Sequence, residues 1–503
     1  MRGKNKPDNP ERWLDSRRHP CHADTLVFLM NFPMLIGSDW RYSAETVGLY
    51  NPYDGSSSGH LCLADAADLE AAITSAHTTF QTITRHQSGA QRSVLLANVA
   101  AGLAARRAEL VDLLIQEAGK PRQFAEIEVT RAMAVFQLAA ELARESRGHL
   151  LSAAGLPAGA QHFGHAERFP LGVIYAITPF NFPLNLVAHK IAPALATGNT
   201  VLLKPSPKTP IIALKLGEIL RAAGMPPGQV NIIHCDNTLA ARPLDDDRIK
   251  FLSFTGSAAI GWQLKAQCRR QKVALELGGN AAAVLHDDAD LAYAIRVLAN
   301  GAFSHAGQSC ISTQRIFVHS SRYAQFRSDF LSYVQNQIAW GDPNDPQVVT
   351  GPMIDAAAMQ RTQNHLQDAV AAGATILCGG TPVGTVLPPT VLEVHSPDLP
   401  ICHEELFAPV VTLQAYDDFD EALQWVNNTR YGLQASVFTQ HIGRIRQAFR
   451  TLDVGAVLIN QAPTFRLDNQ PYGGTKDSGL GREGVSYTMD EMTELKCLIL
   501  RED

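Results

Sequence analysis

The stretch "LGVIYAITPFNFPLNLVAHKIAPALATGNTVLLK" covers residues 171–204 and holds two short apolar runs, 171–177 and 199–204. Strands that are buried on both faces have this composition. The segment between the runs, 186–198, has the apolar spacing of a helix and ends at Gly198, a residue suited to a helix C-terminus. The stretch therefore predicts a strand, a crossover helix and a second strand.

The same alternation continues toward the C-terminus. Residues 209–224 have helical spacing and end at Gly224, and two more apolar runs follow at 229–234 and 249–254. Strands that alternate with helices form parallel sheets with right-handed crossovers. We predict an α/β fold with a doubly wound parallel sheet.

The flanking regions complete the predicted organisation. Apolar residues recur at three- and four-residue steps from 65 to 146, which indicates amphipathic helices, whereas residues 1–33 are predicted to be a loose extension. The last residues, 492–503, read as a strand that needs a partner edge. A second α/β pattern, predicted to be a separate domain, occupies the segments 273–303, 315–338 and 417–439.

Composition excludes several classes of protein. The chain has 503 residues and a net charge of −6, without long runs of Lys or Arg, which argues against a nucleic-acid partner. Eight scattered cysteines without CxxC spacing predict neither a metal site nor a disulfide framework, and they suit the cytoplasm. The apolar stretch 25–37 is short and interrupted by Asn31 and Pro33, so we predict no membrane span, although its length alone would fit a secretory signal.

Cys310 lies in "HAGQSCISTQR" (305–315), among small and polar residues. A lone cysteine is often a buried core thiol. However, the preceding Gly307, Gln308 and Ser309 leave the backbone approachable and supply N–H donors, which favours a reactive thiol. Both interpretations stay open on the residues alone.

Three other segments carry candidate chemistry. Glu276 ends an apolar strand before two glycines, which suits a general base in a low-dielectric cleft as well as a solvent-facing strand end. Asn181 sits in a rigid Pro-rich turn and is either a fixed carboxamide donor or structural. Gly256 and Ser257 open a helix that either holds a phosphate or has an ordinary cap.

Taken together, these segments resemble the aldehyde dehydrogenase superfamily, from about Met34 to the C-terminus. The motifs that carry the resemblance occur in the order "TPFNFPLN", "LLKPSPKTP", "FTGSAAIG", "LELGGN", "GQSC", "EELFAPV" and "PYGGTKDSGLGREG". The resemblance implies that Cys310 is the nucleophile, that Asn181 and the Cys310 N–H form an oxyanion hole, and that Glu276 is the general base. An NAD(P)⁺-dependent, non-acylating oxidation of a small anionic or hydroxylated aldehyde to its carboxylic acid would follow.

The resemblance also implies a cofactor, NAD or NADP. The matching residues are Thr178, Pro179, Phe180, Lys204, Gly256, Ser257, Glu405 and Phe407. Without the motifs, Lys204 would be a solvated strand-end charge and Glu405 part of a surface pair. NAD-preferring members usually have a glutamate three residues after the lysine, and here Pro207 and then Lys208 follow. The loop at 232–243 lacks the usual glycine-rich turn.

Substrate residues are predicted from the loop 462–474 and one helix. Phe465 and Arg466 resemble the tunnel residues of the lactaldehyde and phosphono- or sulfo-aldehyde branch, and "SHAGQSC" resembles a branch that includes lactaldehyde and succinic semialdehyde dehydrogenases. Arg466 would bind an anion, or would pair with Asp468 or Asp477. Arg131 is a second anion candidate, or a helix surface charge.

The resemblance implies three structural regions and an oligomer. The cofactor domain would cover 34–148 and 170–275, the catalytic domain 276–483, and a small β oligomerisation arm 149–169 and 484–503. Edge pairing through that arm implies a homodimer or homotetramer. Two alternatives remain: a coenzyme A-acylating relative, which the presence of Glu276 argues against, and a non-catalytic binding protein on the same fold.

Overall fold

The computed structural model describes residues 30–145, 148–152, 155–159 and 161–501. Most of the predicted extension, 1–33, and parts of the segment 149–169 lie outside the described residues. No described helix is both long and apolar enough to cross a bilayer.

The described strands are β1 (Asn31–Phe32), β2 (Met34–Ile36), β3 (Asp39–Arg41), β4 (Thr46–Tyr50), β5 (Ser57–Cys62), β6 (His149–Leu151), β7 (His162–Pro170), β8 (Val173–Ile177), β9 (Thr200–Lys204), β10 (Val230–Ile232), β11 (Ile249–Thr255), β12 (Lys272–Glu276), β13 (Ala281–Leu285), β14 (Thr313–His319), β15 (Thr375–Cys378), β16 (Thr390–Glu393), β17 (Val410–Tyr416), β18 (Tyr431–Gly432), β19 (Gln434–Phe438), β20 (Ala456–Ile459), β21 (Thr475–Lys476), β22 (Gly479–Leu480) and β23 (Thr493–Arg501).

The described α-helices are α1 (Ala66–Thr82), α2 (Gly89–Ala105), α3 (Arg107–Ala118), α4 (Arg122–Leu142), α5 (Asn185–Thr197), α6 (Ile211–Ala222), α7 (Asn237–Ala241), α8 (Ala258–Gln267), α9 (Leu291–Phe303), α10 (Ser320–Gln337), α11 (Ala356–Ala371), α12 (Phe419–Asn427), α13 (Ile442–Thr451) and α14 (Val485–Glu491). Short 3₁₀ turns occupy Thr84–His86, Arg242–Asp245, Ser304–Gly307 and Pro400–Cys402.

The predicted parallel sheet is present and has the order β22-β12-β11-β8-β9-β10-β2-β3. Its central strands pair in parallel, and β2, β3 and β22 add antiparallel edges. Helices α2 to α6 pack on one face and α1 on the other, so both faces are covered by apolar clusters. This double coverage explains why the strands are continuous apolar runs.

The second α/β pattern forms its own sheet, in the order β15-β16-β17-β14-β13-β19-β20. Every pair in it is parallel except β15 with β16. The two sheets confirm the predicted fold class, whereas the exact domain boundaries stay a prediction.

The C-terminal segment forms β23, which pairs antiparallel with β7 in a small sheet of order β23-β7-β6. Its second edge has no partner strand within the described chain, and Leu495, Leu498 and Ile499 are about half exposed, at 49%, 52% and 56%. An unpaired apolar edge of this kind is a surface for pairing with another chain.

Candidate active site

A cavity of about 1020 Å³ lies where the two large sheets meet. It is lined by the candidate catalytic residues Cys310, Asn181 and Glu276. The candidates Pro179, Phe180, Gly256, Ser257, Glu405, Phe407, Arg131, Phe465 and Arg466 also line it. Residues separated by more than 300 positions in sequence therefore meet in one site.

Thr178 and Lys204 do not line this cavity. They lie side by side at the ends of β8 and β9, where the Thr178 N–H donates to the Lys204 carbonyl at 3.2 Å. Lys204 is 7% exposed, so it is not the solvated strand-end charge that was the alternative. Burial lowers the pKa of its ammonium.

Cys310 follows a tight turn with unusual backbone geometry. His305, Ala306 and Gly307 all have positive φ values, 50°, 55° and 63°. Such conformations cost about 1–3 kcal/mol for each non-glycine residue, and they cluster at functional sites. A Cβ on Gly307 would collide with the Ala408 carbonyl, so this position requires glycine. The turn presents Cys310 to the cavity, rather than sealing it in the core.

Within the described ranges, the Cys310 thiol forms a hydrogen bond with one side chain, the Tyr472 hydroxyl, at 3.0 Å from Sγ to Oη. Removal of the sulfur from bulk water raises its pKa to about 12, and the hydrogen bond from Tyr472 opposes that shift. The Cys310 backbone N–H has no hydrogen-bond acceptor among the described residues. This N–H is therefore available to a ligand in the cavity.

Asn181 is 3% exposed, and its Nδ2 donates to the Gln308 carbonyl at 3.0 Å. An amide nitrogen carries two hydrogens, so the second N–H is free to donate to another acceptor. A buried ion pair supports this loop: Lys120 bonds Glu128 and also donates to the Asn181 carbonyl, at 2.6 Å. Glu128 in turn accepts from the Leu184 N–H at 2.9 Å, so the turn before α5 is fixed.

Glu276 ends β12 and is 5% exposed, which excludes the solvent-facing alternative. Neither of its carboxylate oxygens has a hydrogen-bond partner in the part of the chain that the structure describes. Burial raises the pKa of Glu276 well above its usual value, and the nearby Glu483 carboxylate raises it further. The site thus holds a carboxyl group of unusually high proton affinity beside the thiol.

Glu483 belongs to a buried set of charges behind the site. It accepts from Arg466 at 2.8 Å and lies 3.6 Å from the Lys190 ammonium. Arg466 thus pairs with Glu483, and not with Asp468 or Asp477, the two partners considered from the sequence. The side chain of Arg466 is 5% exposed, and its guanidinium stacks 3.8 Å from the centre of the Tyr472 ring.

Arg131 lies on α4 and forms a two-bond ion pair with Asp468, at 2.6 and 3.1 Å. The same carboxylate also accepts a hydrogen bond from the His189 ring, at 2.9 Å from Nε2 to Oδ1. Arg131 is 25% exposed at its side chain and lines the cavity, so it is more than a helix surface charge. We call Arg131, Arg296 and Phe465 the outer residues, because each lines the cavity and remains partly or largely exposed.

The candidate cofactor residues form a second group along the cavity. The rings of Phe180 and Phe407 meet edge to face at 5.9 Å, and Phe407 has a positive φ of 53°. Glu405 accepts from the Gly279 N–H at 3.0 Å, and burial raises its pKa to about 7. It is therefore not part of a surface acidic pair.

Helix α8 begins at the cavity. Its N-cap residue, Ser257, makes no side-chain capping bond, so the Ser257 hydroxyl does not occupy the first N–H groups of the helix. Such a helix start attracts phosphate groups. The glycines, aromatic rings and carboxylate present here fit a dinucleotide.

Sequence reasoning missed four residues of the site: Tyr472, Glu483, Lys190 and Arg296. The first two lie inside the motif "PYGGTKDSGLGREG", and Lys190 lies inside a quoted helix. These segments were identified from the sequence, but no sequence pattern indicates which of their side chains reach the Cys310 thiol or the Glu276 carboxylate. Arg296 carries no local signal, because it is one charge on an amphipathic helix.

Comparisons with known proteins agree with this geometry. The family model described as "Aldehyde dehydrogenase family" matches residues 40–498. The 3-sulfolactaldehyde dehydrogenase of Priestia aryabhattai is 35% identical over 95% of this chain and 99% of its own.

Solved structures give the same result. Aldehyde dehydrogenase 21 from Physcomitrella patens, in complex with the reaction product succinate, has a TM-score of 0.91 and 38% identity over 94% of this chain and 98% of its own. The NADP-dependent glyceraldehyde-3-phosphate dehydrogenase from Bacillus halodurans, complexed with NADP, has a TM-score of 0.91 and 32% identity over 94% and 100%. The family model and these relatives cover nearly the whole chain, and the chain belongs to the aldehyde dehydrogenase family.

Proposed function

We propose that this protein oxidises a small anionic aldehyde to its carboxylic acid, with NAD⁺ or NADP⁺ as the hydride acceptor. One observation carries the proposal: Cys310, Asn181 and Glu276 line one cavity together with the residues that fit a dinucleotide. Membership of the family supports oxidation of an aldehyde as the reaction class.

The cofactor residues have distinct roles in this proposal. The start of α8, with Gly256 and Ser257, would hold the pyrophosphate, and Glu405 and Phe407 would hold the nicotinamide ribose and ring. When bound, NAD(P)⁺ supplies the hydride acceptor for the oxidation. Thr178 and Lys204, beyond the cavity, would hold the adenosine end, with Pro179 and Phe180 between.

In the first step, the Cys310 thiolate adds to the aldehyde carbonyl carbon and forms a thiohemiacetal. The developing oxyanion accepts from the free N–H of Asn181 and from the Cys310 N–H, both of which are available. Donors that are fixed before the reaction stabilise this charge without reorganisation. The buried Lys120–Glu128 pair supports this role, because it holds the Asn181 loop still.

Transfer of a hydride from the thiohemiacetal carbon to bound NAD(P)⁺, with loss of the hydroxyl proton, would leave a thioester on Cys310. In the next step, water hydrolyses this thioester to the carboxylic acid and the free thiol. Glu276 takes a proton from that water, and its two unpartnered oxygens are free to accept it. A carboxylate with a raised pKa is a stronger base than an exposed glutamate. The presence of this base supports hydrolysis and argues against transfer of the acyl group to coenzyme A.

Arginines around the cavity support an anionic substrate. Arg131, Arg296, Arg361 and Arg466 line it, and Arg466 stacks on Tyr472, the residue that is hydrogen-bonded to Cys310. The carboxylates Asp468 and Glu483 hold two of these arginines in place, and the remaining guanidinium N–H groups can bind a carboxylate, sulfonate or phosphate. Phe465 would pack against the carbon chain of the substrate.

The choice between NAD and NADP depends on the segment after β9. Pro207 offers no carboxylate to repel a 2′-phosphate, which leaves NADP open. Lys208 forms an ion pair with Asp355 at 3.1 Å, and its side chain is 52% exposed, so its charge is partly neutralised. We therefore propose that both cofactors are accepted.

We also propose a homodimer or homotetramer assembled through the free edge of β23, where the apolar residues are exposed. A cytoplasmic location suits the seven described cysteines, each of which is a free thiol.

A substrate screen tests the proposal. Formation of NADH and NADPH is measured against lactaldehyde, succinic semialdehyde, glyceraldehyde 3-phosphate, phosphonoacetaldehyde and sulfolactaldehyde, each with and without coenzyme A. We expect turnover with anionic aldehydes and no dependence on coenzyme A, with Cys310→Ala as the inactive control. A strict requirement for coenzyme A would support an acylating enzyme, and no activity with any aldehyde would support a binding protein.

A further inference from the structure

Among the described residues, Tyr472 is the side chain that forms a hydrogen bond with the sulfur of Cys310. Its hydroxyl lies 3.0 Å from Sγ, and the residue is 3% exposed. Its backbone is fixed on both sides by a pair of hydrogen bonds with the backbone of Glu483, at 2.9 and 2.6 Å. The backbone that carries the ring is therefore held in place, and the ring itself is enclosed by the protein.

The direction of the hydrogen bond follows from the acidity of the two groups. Burial raises the pKa of Tyr472 well above its usual value, so the hydroxyl keeps its hydrogen when the thiol ionises. A thiolate has no hydrogen to donate and can only accept. In the ionised state, the tyrosine must therefore be the donor.

A cation over the face of the tyrosine ring strengthens this donor. The Arg466 guanidinium lies 3.8 Å from the ring centre, and Glu483 holds it there through a 2.8 Å hydrogen bond. A cation over an aromatic ring withdraws electron density, which makes the phenol hydrogen a better donor. Glu483, Arg466, Tyr472 and Cys310 thus form one continuous contact chain.

We propose that Tyr472 is a positioning residue for the nucleophile: its hydroxyl donates to the Cys310 sulfur, stabilises the thiolate and holds it until an aldehyde enters. The thiol proton leaves to solvent, while the tyrosine keeps its own. This inference rests on the proposed role of Cys310, and it adds that the nucleophile is prepared by Tyr472 and Arg466 before any substrate binds.

Alkylation of the cofactor-free enzyme by iodoacetamide tests this inference. Thiolate attack forms a sulfur–carbon bond and releases iodide, so the rate at Cys310, followed by peptide mass spectrometry, reports the thiolate between pH 6 and 10. A hydrogen bond to a charged group contributes about 1.5–3 kcal/mol, so Tyr472→Phe should leave about tenfold less thiolate. The remaining thiolate is more basic and therefore more nucleophilic, which offsets part of this loss. The net rate of alkylation should therefore fall by about threefold.

Two references make the result specific. Tyr431→Phe changes another buried tyrosine, one that does not contact Cys310, and should leave the Cys310 rate unchanged. The exposed Cys497 should react equally in every variant. An unchanged or faster Cys310 rate in Tyr472→Phe, or an equal fall in Tyr431→Phe, would overturn the inference.

A second variant covers the case in which Tyr472→Phe does not fold. Site-specific replacement of Tyr472 by 3-fluorotyrosine keeps the ring and makes the hydroxyl a stronger donor, so Cys310 should be alkylated faster at neutral pH. A slower rate would contradict the inference. Because alkylation reports ionisation whether or not Cys310 attacks an aldehyde, this test fails separately from loss of activity in Cys310→Ala, which tests the function.

Discussion

The residues around Cys310 and the outer residues belong to one cavity but differ in how they are held. Asn181, Glu276 and Tyr472 are 3%, 5% and 3% exposed, and the side chains of Asn181 and Tyr472 are also held by hydrogen bonds. Phe465, in contrast, is 43% exposed, and the side chain of Arg131 is 25% exposed.

We therefore expect the buried residues around Cys310 to determine the type of reaction, and the outer residues to determine the choice of substrate. Groups removed from water have shifted pKa values and strong interactions, which chemistry requires. The charges of partly or largely exposed arginines are screened by solvent, so each adds modestly to substrate affinity. Substitutions should therefore have large effects on turnover near Cys310 and smaller, substrate-dependent effects among the outer residues.

The largest effect is expected for Cys310→Ala. Without the sulfur no thiohemiacetal forms, and we expect kcat/KM to fall by at least about 10⁴-fold. Binding of NAD(P)H, measured by fluorescence titration, should stay within about twofold, because the cofactor residues are untouched. Cys402→Ala, at a buried cysteine outside the cavity, is the matched control and should keep its activity. Normal turnover in Cys310→Ala would contradict the nucleophile assignment.

The next effect concerns pH. The pKa of Glu276 is raised by burial, so the carboxyl group is protonated, and unable to act as a base, over a wider range of pH than an ordinary glutamate. Hydrolysis of the acyl-enzyme should therefore accelerate with rising pH through the neutral range, by about tenfold per pH unit below the pKa. Stopped-flow measurement of this step between pH 5 and 9 checks it, and a rate already constant from pH 5 would refute it.

A smaller, substrate-dependent effect is expected for Arg131→Met. Loss of a charge-assisted hydrogen bond should raise KM for an anionic aldehyde by about tenfold and leave kcat nearly unchanged. A neutral aldehyde of similar size, such as propionaldehyde, is the control and should show no change. Equal effects on both aldehydes would assign Arg131 to the support of Asp468 alone.

The smallest effect is expected for Arg296→Met. Arg296 stacks on Tyr293 at 5.3 Å, and no carboxylate among the described residues pairs with it. Exposed charges contribute less than about 1 kcal/mol, so KM for the anionic aldehyde should rise by two- to threefold. The rise should disappear in about 0.5 M salt, because screening weakens exposed charges. A large fall in kcat, of the kind expected for residues around Cys310, would remove the distinction between those residues and the outer residues.

Much of the fold followed from the sequence, because apolar runs such as 171–177 are buried on both faces and are unambiguous. The candidates near Cys310 followed from motifs whose order is specific. The pairing of Arg466 with Glu483 did not follow, since Asp468 and Asp477 are closer in sequence and only the folded chain brings residue 483 to the guanidinium. Contacts between distant segments, such as Tyr472 with Cys310, carry no local sequence pattern.

The central claim is that Cys310 carries the acyl group during turnover, and mass spectrometry of Glu276→Gln tests it most directly. The variant is mixed with NAD(P)⁺ and the best aldehyde of the screen, and is quenched in acid after one turnover. The account predicts one acyl adduct, located on the Cys310 peptide, with one equivalent of NAD(P)H formed. Carboxylic acid formed without any adduct, or an adduct on another cysteine, would contradict it.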